Sequence, residues 1–206
     1  MKFVLFVEGY TEKAVLGRFL RDWLNTRLGW SLEIQTVRFD GCFHMIGDMP
    51  LKAKMHLNAP SASTVIAVIA LLDLYGPDFY PNYTISVDDR VQWATKYLED
   101  KVSSSKFKVF FAVHELEAWL LSQPEIFPPA VKQALPGKAP EEINFQTPPS
   151  KLLRKIYRSK LKREYKKVTD GQNLFKKLDS EIAYRKCNHL KQMLDEMLRM
   201  AKETGL

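Results

Sequence analysis

Cysteine is scarce in this 206-residue chain: only Cys42 and Cys187 occur, too few for a disulfide framework and at no spacing that suits zinc. A cross-linked scaffold and a zinc fold are thereby excluded, and reduced, buried thiols are expected. Long apolar runs are missing too. The longest, Val65–Leu72, is far shorter than the ~20 residues a membrane span needs, and Phe3–Val7 stops at Glu8 with no cleavage-like region after it. The expectation is an unexported, cytoplasmic chain with no membrane partner. Histidine is sparse, and His114-Glu115-Leu116-Glu117 lacks the second histidine that a helical zinc-protease motif places on the following turn. No Walker-type phosphate loop is present, so any ATP dependence would have to come from another chain.

What is present is a repeated pattern. Four stretches read as buried parallel strands, and each runs into a carboxylate: Phe3–Val7 into Glu8, Ile34–Phe39 into Asp40, Val65–Leu72 into Asp73, and Phe107–Val113 into His114-Glu115-Leu116-Glu117. In an open parallel sheet the carboxyl ends of the strands share one rim, where such folds place ligands. Acids on neighbouring strands, about 5 Å apart, repel one another unless a cation, a proton or solvent intervenes. A divalent metal accounts for the pattern economically. Acids also follow strands simply because the next helix favours negative charge at its N-terminus, and any one of these positions taken alone fits that explanation.

With 46% hydrophobic residues the chain can bury one good core. Val15, Leu16, Phe19, Leu20, Trp23 and Leu24 form a helical stripe within Tyr10–Arg27. Gly41–Asn58 has a weaker pattern interrupted by Gly47 and Pro50, which predicts a broken helix or a loop. Asp73–Thr84 reads as an irregular loop, Val87–Lys101 as a helix and Glu115–Ser122 as a short one. Seven prolines between Pro124 and Pro149 forbid long regular elements there. Beyond them Ser150–Lys167, Gly171–Tyr184 and Cys187–Lys202 read as three helices, the last with Leu190, Met193, Leu194, Met197, Leu198 and Ala201 on one stripe. The expected architecture is α/β: a parallel sheet of about four strands flanked by helices over residues 1–123, a proline-rich connector over 124–149, and a helical C-terminal extension over 150–206 packed on the core.

The net charge of +7 is unevenly spread, since Lys151–Lys167 holds nine basic residues against the single acid Glu164. Lys151, Arg154, Lys155, Arg158, Lys162 and Arg163 are the candidates for gripping a polyphosphate backbone, which releases counterions when it is neutralised. A solvated helix face would look the same. Tyr157 and Tyr165, interleaved with these charges, could stack on bases or anchor the helix to the core.

The segment Val7-Glu8-Gly9-Tyr10-Thr11-Glu12 resembles the opening signature of Toprim domains, and Leu72-Asp73-Leu74-Tyr75-Gly76 resembles the acidic motif after their third strand. Phe111–Leu121, Pro148-Pro149-Ser150-Lys151 and Tyr165-Lys166-Lys167-Val168-Thr169-Asp170-Gly171 are similar to blocks of the Toprim-like domain of unknown function 4276 family. That resemblance implies a Toprim/Rossmann-like fold, with a metal-dependent phosphodiester site like those of topoisomerases, primases and the nuclease domains of overcoming-lysogenization-defect proteins. By position it makes Glu8, Glu12 and Asp73 the catalytic set, with Glu8 and Asp73 as metal ligands. Tyr75 stands where the family pattern has another aspartate, and Glu115 or Glu117 would then supply the lost ligand. The resemblance also implies an ATPase partner.

The residue types suit this chemistry. Mg²⁺, or Mn²⁺ in its place, takes oxygen ligands from one or two carboxylates, waters and substrate phosphate. Glu12, four residues after Glu8, could reach back over the first helical turn toward the same ion or could merely complement the helix dipole. Two functions are expected from the sequence. One is a Mg²⁺-dependent nuclease acting on DNA or RNA, in a defence or repair system. The other is a non-catalytic Toprim-like module that binds nucleic acid or regulates an ATPase.

Overall fold

The computed structural model describes every residue except 85, 143–146 and 206. Its centre is a four-stranded, all-parallel sheet of β1 (Lys2–Val7), β2 (Glu33–Arg38), β3 (Val65–Asp73) and β4 (Phe107–Ala112), in the spatial order β2-β1-β3-β4. Chain progression goes outward from β1 to β2 and then back across to β3. The order therefore reverses between β1 and β3, and the crevice beyond their carboxyl ends is the switch point where open α/β sheets bind ligands. Leu5 pairs with Ile69 and Phe6 with Ala70 across this junction. That register brings Glu8, just past β1, level with Leu72 and so beside Asp73 at the end of β3.

Alternation along the strands sends side chains into two cores. Phe3, Leu5 and Val7 face α1 (Tyr10–Leu28), whose Leu16, Phe19, Leu20, Trp23 and Leu24 form the apolar stripe read from the sequence. Val4 and Phe6 face the opposite layer, α2 (Cys42–Asn58) and α3 (Val87–Asp100), through Met45, Met49, Ala53, Ala94 and Leu98. Because both faces are covered, β3 is buried along nearly its whole length, which is why it reads as a continuous apolar run.

The segment expected to be a broken helix or a loop is one helix, α2, with Pro50 inside it and Gly47 on its exposed side. Met45, Met49 and Ala53 lie one turn apart on the sheet side, and their burial outweighs the hydrogen bond that the proline removes.

After β4 the chain forms the short α4 (Glu117–Leu121), then α5 (Pro129–Lys132) among single turns in the proline-rich stretch. Ile126, Phe127 and Val131 of that stretch belong to the same core as α1. Next comes α6 (Pro149–Leu161), and then the region read as one helix from Gly171 is divided. A π-turn at Lys167–Gly171 leads into α7 (Gln172–Phe175), and α8 (Ser180–Lys186) and α9 (Asn188–Lys202) follow. Asp179 stops the run by capping α8, its carboxylate accepting from the Glu181 amide at 2.8 Å. Leu190, Met193, Leu194 and Met197 of α9 are fully buried against the α1 side, as their spacing implied. No helix among the described residues is long and apolar enough to cross a membrane.

Trp119 of α4 is fully buried and stacks on Phe19 of α1 at 5.9 Å. Trp119→Ala should cost about 3–5 kcal/mol, measured by urea unfolding. A loss under about 1 kcal/mol would show that α4 is not packed in the core.

Candidate active site

Glu8 leaves β1 into Gly9, which caps α1 in an extended conformation. A Cβ on Gly9 would stand 2.7 Å from Oε2 of Glu12, so glycine is what lets the Glu12 carboxylate fold back over the first turn. Glu12 and Thr11 are consequently buried although they begin a helix. On the neighbouring strand the Asp73 amide donates to Oε1 of Glu8 at 2.9 Å, and Oδ1 of Asp73 accepts from the Leu116 amide at 3.1 Å. The ends of β1, β3 and β4 are thus stitched together by carboxylates. Beyond β4 the chain turns into α4 and aims Glu117, almost wholly buried, at the same point.

That point is held by a lysine. Nζ of Lys167 lies 3.4 Å from Oδ2 of Asp73, 3.4 Å from Oε2 of Glu117 and 3.5 Å from Oε1 of Glu12. Its backbone is anchored where Oγ1 of Thr11 donates to the Lys167 carbonyl at 3.4 Å. Asp170 accepts from both terminal nitrogens of Arg163, at 2.8 and 2.9 Å, and from the Lys166 amide at 2.8 Å, which shapes the approach to the turn. Gly171 closes it at a position where a Cβ would meet the Tyr165 hydroxyl at 3.0 Å.

The electrostatics follow from four carboxylates, Glu12 and Glu117 buried and Glu8 and Asp73 half-buried, clustered at one ammonium that contacts three of them. Burial pushes Glu8 up to about 7; the Asp73 amide and Lys167 oppose the rise, and Glu12 adds to it. Burial raises Asp73 well above the usual carboxylate range, with Lys167 opposing, and raises Glu117 for the same reason. Burial works against the charge on Lys167 as well, but Asp73, Glu117, Glu12 and Glu115 outweigh it and hold the ammonium protonated far above the ordinary lysine range. Glu117 Oε2 has no hydrogen-bond partner among the described residues; its approach to Lys167 is an ion-pair contact without hydrogen-bond geometry.

The structure thus brings Glu8, Glu12, Asp73 and Glu117 together and leaves two other strand-end acids out. Glu115 accepts from the Ser150 amide at 2.8 Å and from the Ser150 hydroxyl at 3.0 Å, so it ties β4 to the start of α6. Asp40 is exposed and pairs with Arg38 at the end of β2, the edge strand. Among the described residues no three His, Cys, Asp or Glu side chains have the arrangement of a metal-binding group. Sequence reasoning did not single out Lys167, although it lies in the Tyr165–Gly171 block that carries the family resemblance.

The basic residues also divide. Lys151, Arg154, Lys155 and Arg158 line a surface cleft of about 370 Å³ along α6. Arg158 is neutralised by Glu164 and Arg163 by Asp170, whereas Lys151, Arg154 and Lys155 have no carboxylate within ion-pair distance among the described residues. Lys162 is the left-handed residue that ends α6, away from the cleft lining. Lys151 donates to the Tyr75 hydroxyl at 3.3 Å, so the cleft begins beside the acid cluster. Tyr157 and Tyr165 are buried, at 1% and 2% exposure, and pack edge to face at 5.2 Å. Of the two roles open to them in the sequence, they take that of anchors.

Residues 7–198 match the family described as domain of unknown function DUF4276, and the chain belongs to that family. No curated protein matches it. Among solved structures it is similar to the C-terminal region of the Burkholderia pseudomallei OLD protein, with 18% identity over 97% of each chain and a TM-score of 0.46.

The raised carboxylates fix the sign of the pH dependence. Folded Glu8 keeps its proton from the ordinary value of 4.5 up to about 7, while the unfolded chain has released it. Stability should therefore fall as pH rises through that window. Glu8→Gln is expected to flatten the fall, seen as a smaller change in denaturation midpoint between about pH 5 and pH 8; an unchanged slope would count against the burial of this charge. Lys167→Met should cost about 3 kcal/mol near pH 8, because it leaves buried carboxylates uncompensated, and less near pH 5, where they can take up protons. Equal cost at both pH values would contradict the ion cluster.

Proposed function

We propose that this protein is a Mg²⁺-dependent phosphodiester hydrolase acting on nucleic acid. The observation that carries the reading is the convergence of Glu8, Glu12, Asp73 and Glu117 at the switch point of the sheet. The residues suit a hard divalent cation in two respects. All four donors are carboxylate oxygens, and the single Lys167 ammonium leaves them under-neutralised, with Glu117 Oε2 buried and lacking a hydrogen bond among the described residues. Asp73, Glu8 and Glu117 would hold the ion. When bound, it would polarise a phosphoryl oxygen and lower the pKa of a coordinated water.

The chain's own groups have separate tasks. Glu12 and Glu8 orient the cluster from the first turn of α1, and Lys167 offers a fixed positive charge to the non-bridging oxygens of a phosphate seated at the crevice. Without an ion Glu8 keeps its proton up to about 7, and holding a cation would require it to release that proton. Lys151, Arg154 and Lys155, without ion-pair partners among the described residues, supply cations for the flanking backbone. Manganese would serve in place of magnesium. The family resemblance adds an ATPase partner and a setting in defence or repair.

A second reading, a non-catalytic module that binds nucleic acid or regulates an ATPase, has one observation in its favour. The Lys167 ammonium already occupies the centre of the cluster, and Tyr75, two residues beyond Asp73, bonds to Lys151 and brings no further acid.

Two measurements separate the readings. Calorimetric titration with Mn²⁺ should show binding at millimolar metal that Asp73→Ala removes. Incubation with plasmid and oligonucleotide substrates should show metal-dependent cleavage that Glu8→Ala and Asp73→Ala each reduce by roughly 100-fold or more. Binding and cleavage both absent would favour the module, and cleavage unchanged in both variants would remove these acids from the site.

A further inference from the structure

The aromatic residues fall into two groups. Most of the large rings are core, including Trp119, Tyr157, Phe3 and Phe6. Two of the most exposed open the helices that leave the acid cluster: Tyr10, the first residue of α1, is 65% exposed, and Phe43, the second residue of α2, is 73% exposed. Apolar surface left in water needs a reason only when it is gathered with other features. Here it is gathered on the rim of the candidate site.

The placement follows from the backbone. Tyr10 is two residues beyond Glu8. The Gly41 amide, directly before α2, donates to the Glu8 carbonyl at 3.2 Å, so the first turn of α2 abuts the same acid. Arg38 ends β2 opposite Val7, and its guanidinium lies 4.0 Å from the centroid of the Tyr10 ring. On the far side of the acids Tyr75 has the Lys151 ammonium 5.6 Å from its ring centroid. From there Arg154 and Lys155 of α6, which have no ion-pair partner among the described residues, continue along the cleft. Two exposed rings, one of them backed by Arg38, an acid cluster and a basic cleft thus follow one another across the carboxyl edge of the sheet.

We infer that the rim of this site binds single-stranded nucleic acid, stacking bases on Tyr10 and Phe43 and seating the adjoining backbone on Lys151, Arg154 and Lys155. The inference rests on the phosphodiester-hydrolase reading for its choice of polymer and adds the strandedness. Aromatic faces attract every base without regard to sequence, but a duplex keeps its base faces covered and offers only its backbone. The charge complements a polyanion on one side of the acids, and the rings complement unpaired bases on the other.

Equilibrium binding of fluorescein-labelled oligonucleotides to the full chain in EDTA tests this without cleavage, so the outcome is independent of whether the protein cuts. The probes are single strands of about 20 nucleotides, one DNA and one RNA, and a DNA duplex of the same length. At least one single strand should bind about 10-fold or more tightly than the duplex, and which one does so identifies the natural sugar. Tyr10→Ala and Phe43→Ala should each weaken single-strand binding by roughly 5- to 100-fold and leave duplex binding unchanged, while Tyr10→Phe keeps the ring and the affinity. Lys155→Ala should lower the salt dependence of single-strand binding by about 0.7 in log–log slope. Duplex binding equal to or tighter than both single strands, alanine variants within about 2-fold of the parent, or no binding of any probe would each overturn the inference.

Discussion

Carboxylates gathered in a poorly hydrated crevice are unfavourable unless positive charge is gathered with them, and much of this molecule can be understood from that constraint. The ends of three strands bring Glu8, Asp73 and Glu117 together, and the first turn of α1 adds Glu12. Lys167, more than 90 residues further along the chain than Asp73, supplies the only ammonium in contact with three of them among the described residues. One cation against four acids leaves a deficit, and protons meet part of it: burial holds Glu8, Asp73 and Glu117 above their ordinary range. The divalent ion proposed for this site would meet the same deficit that the protons now meet.

The C-terminal third of the chain acquires a purpose in this light. Ser150 grips Glu115 and fixes the start of α6 beside β4. Asp170 gathers Arg163 and the Lys166 amide so that the next residue turns inward. The buried Tyr157 and Tyr165 hold the segment against the core. What reads as a basic stretch is therefore a structural arm that delivers a single lysine to the sheet edge, and the cations without an ion-pair partner among the described residues line a cleft that opens beside the site.

The central strands β1 and β3 were legible because a parallel sheet covered on both faces needs continuous apolar runs there, and the acids after them were legible because such runs end at one rim. Other features could not be read locally. Glu115 and Glu117 are two residues apart and chemically alike; only the turn after β4 decides that one binds Ser150 and the other joins the cluster. Lys167 is one of nine basic residues in its stretch, and its neighbours Arg158 and Arg163 are spent on Glu164 and Asp170. Gly47 and Pro50 argued against a continuous α2, and burial of one methionine-rich face overrode them. Asp40 follows a strand as Glu8 does, yet β2 lies at the edge and its end opens to water.

The sequence by itself determined the alternation of buried strands and amphipathic helices, the acids at strand ends, and the surplus of positive charge, because these depend on local periodicity and residue type. Tertiary structure alone decided which acids meet, which cation they meet, and which aromatic rings stay in water. Those outcomes depend on the strand order β2-β1-β3-β4 and on the path of a distant segment, and an electrostatic cluster takes its energy from distances that no linear pattern records.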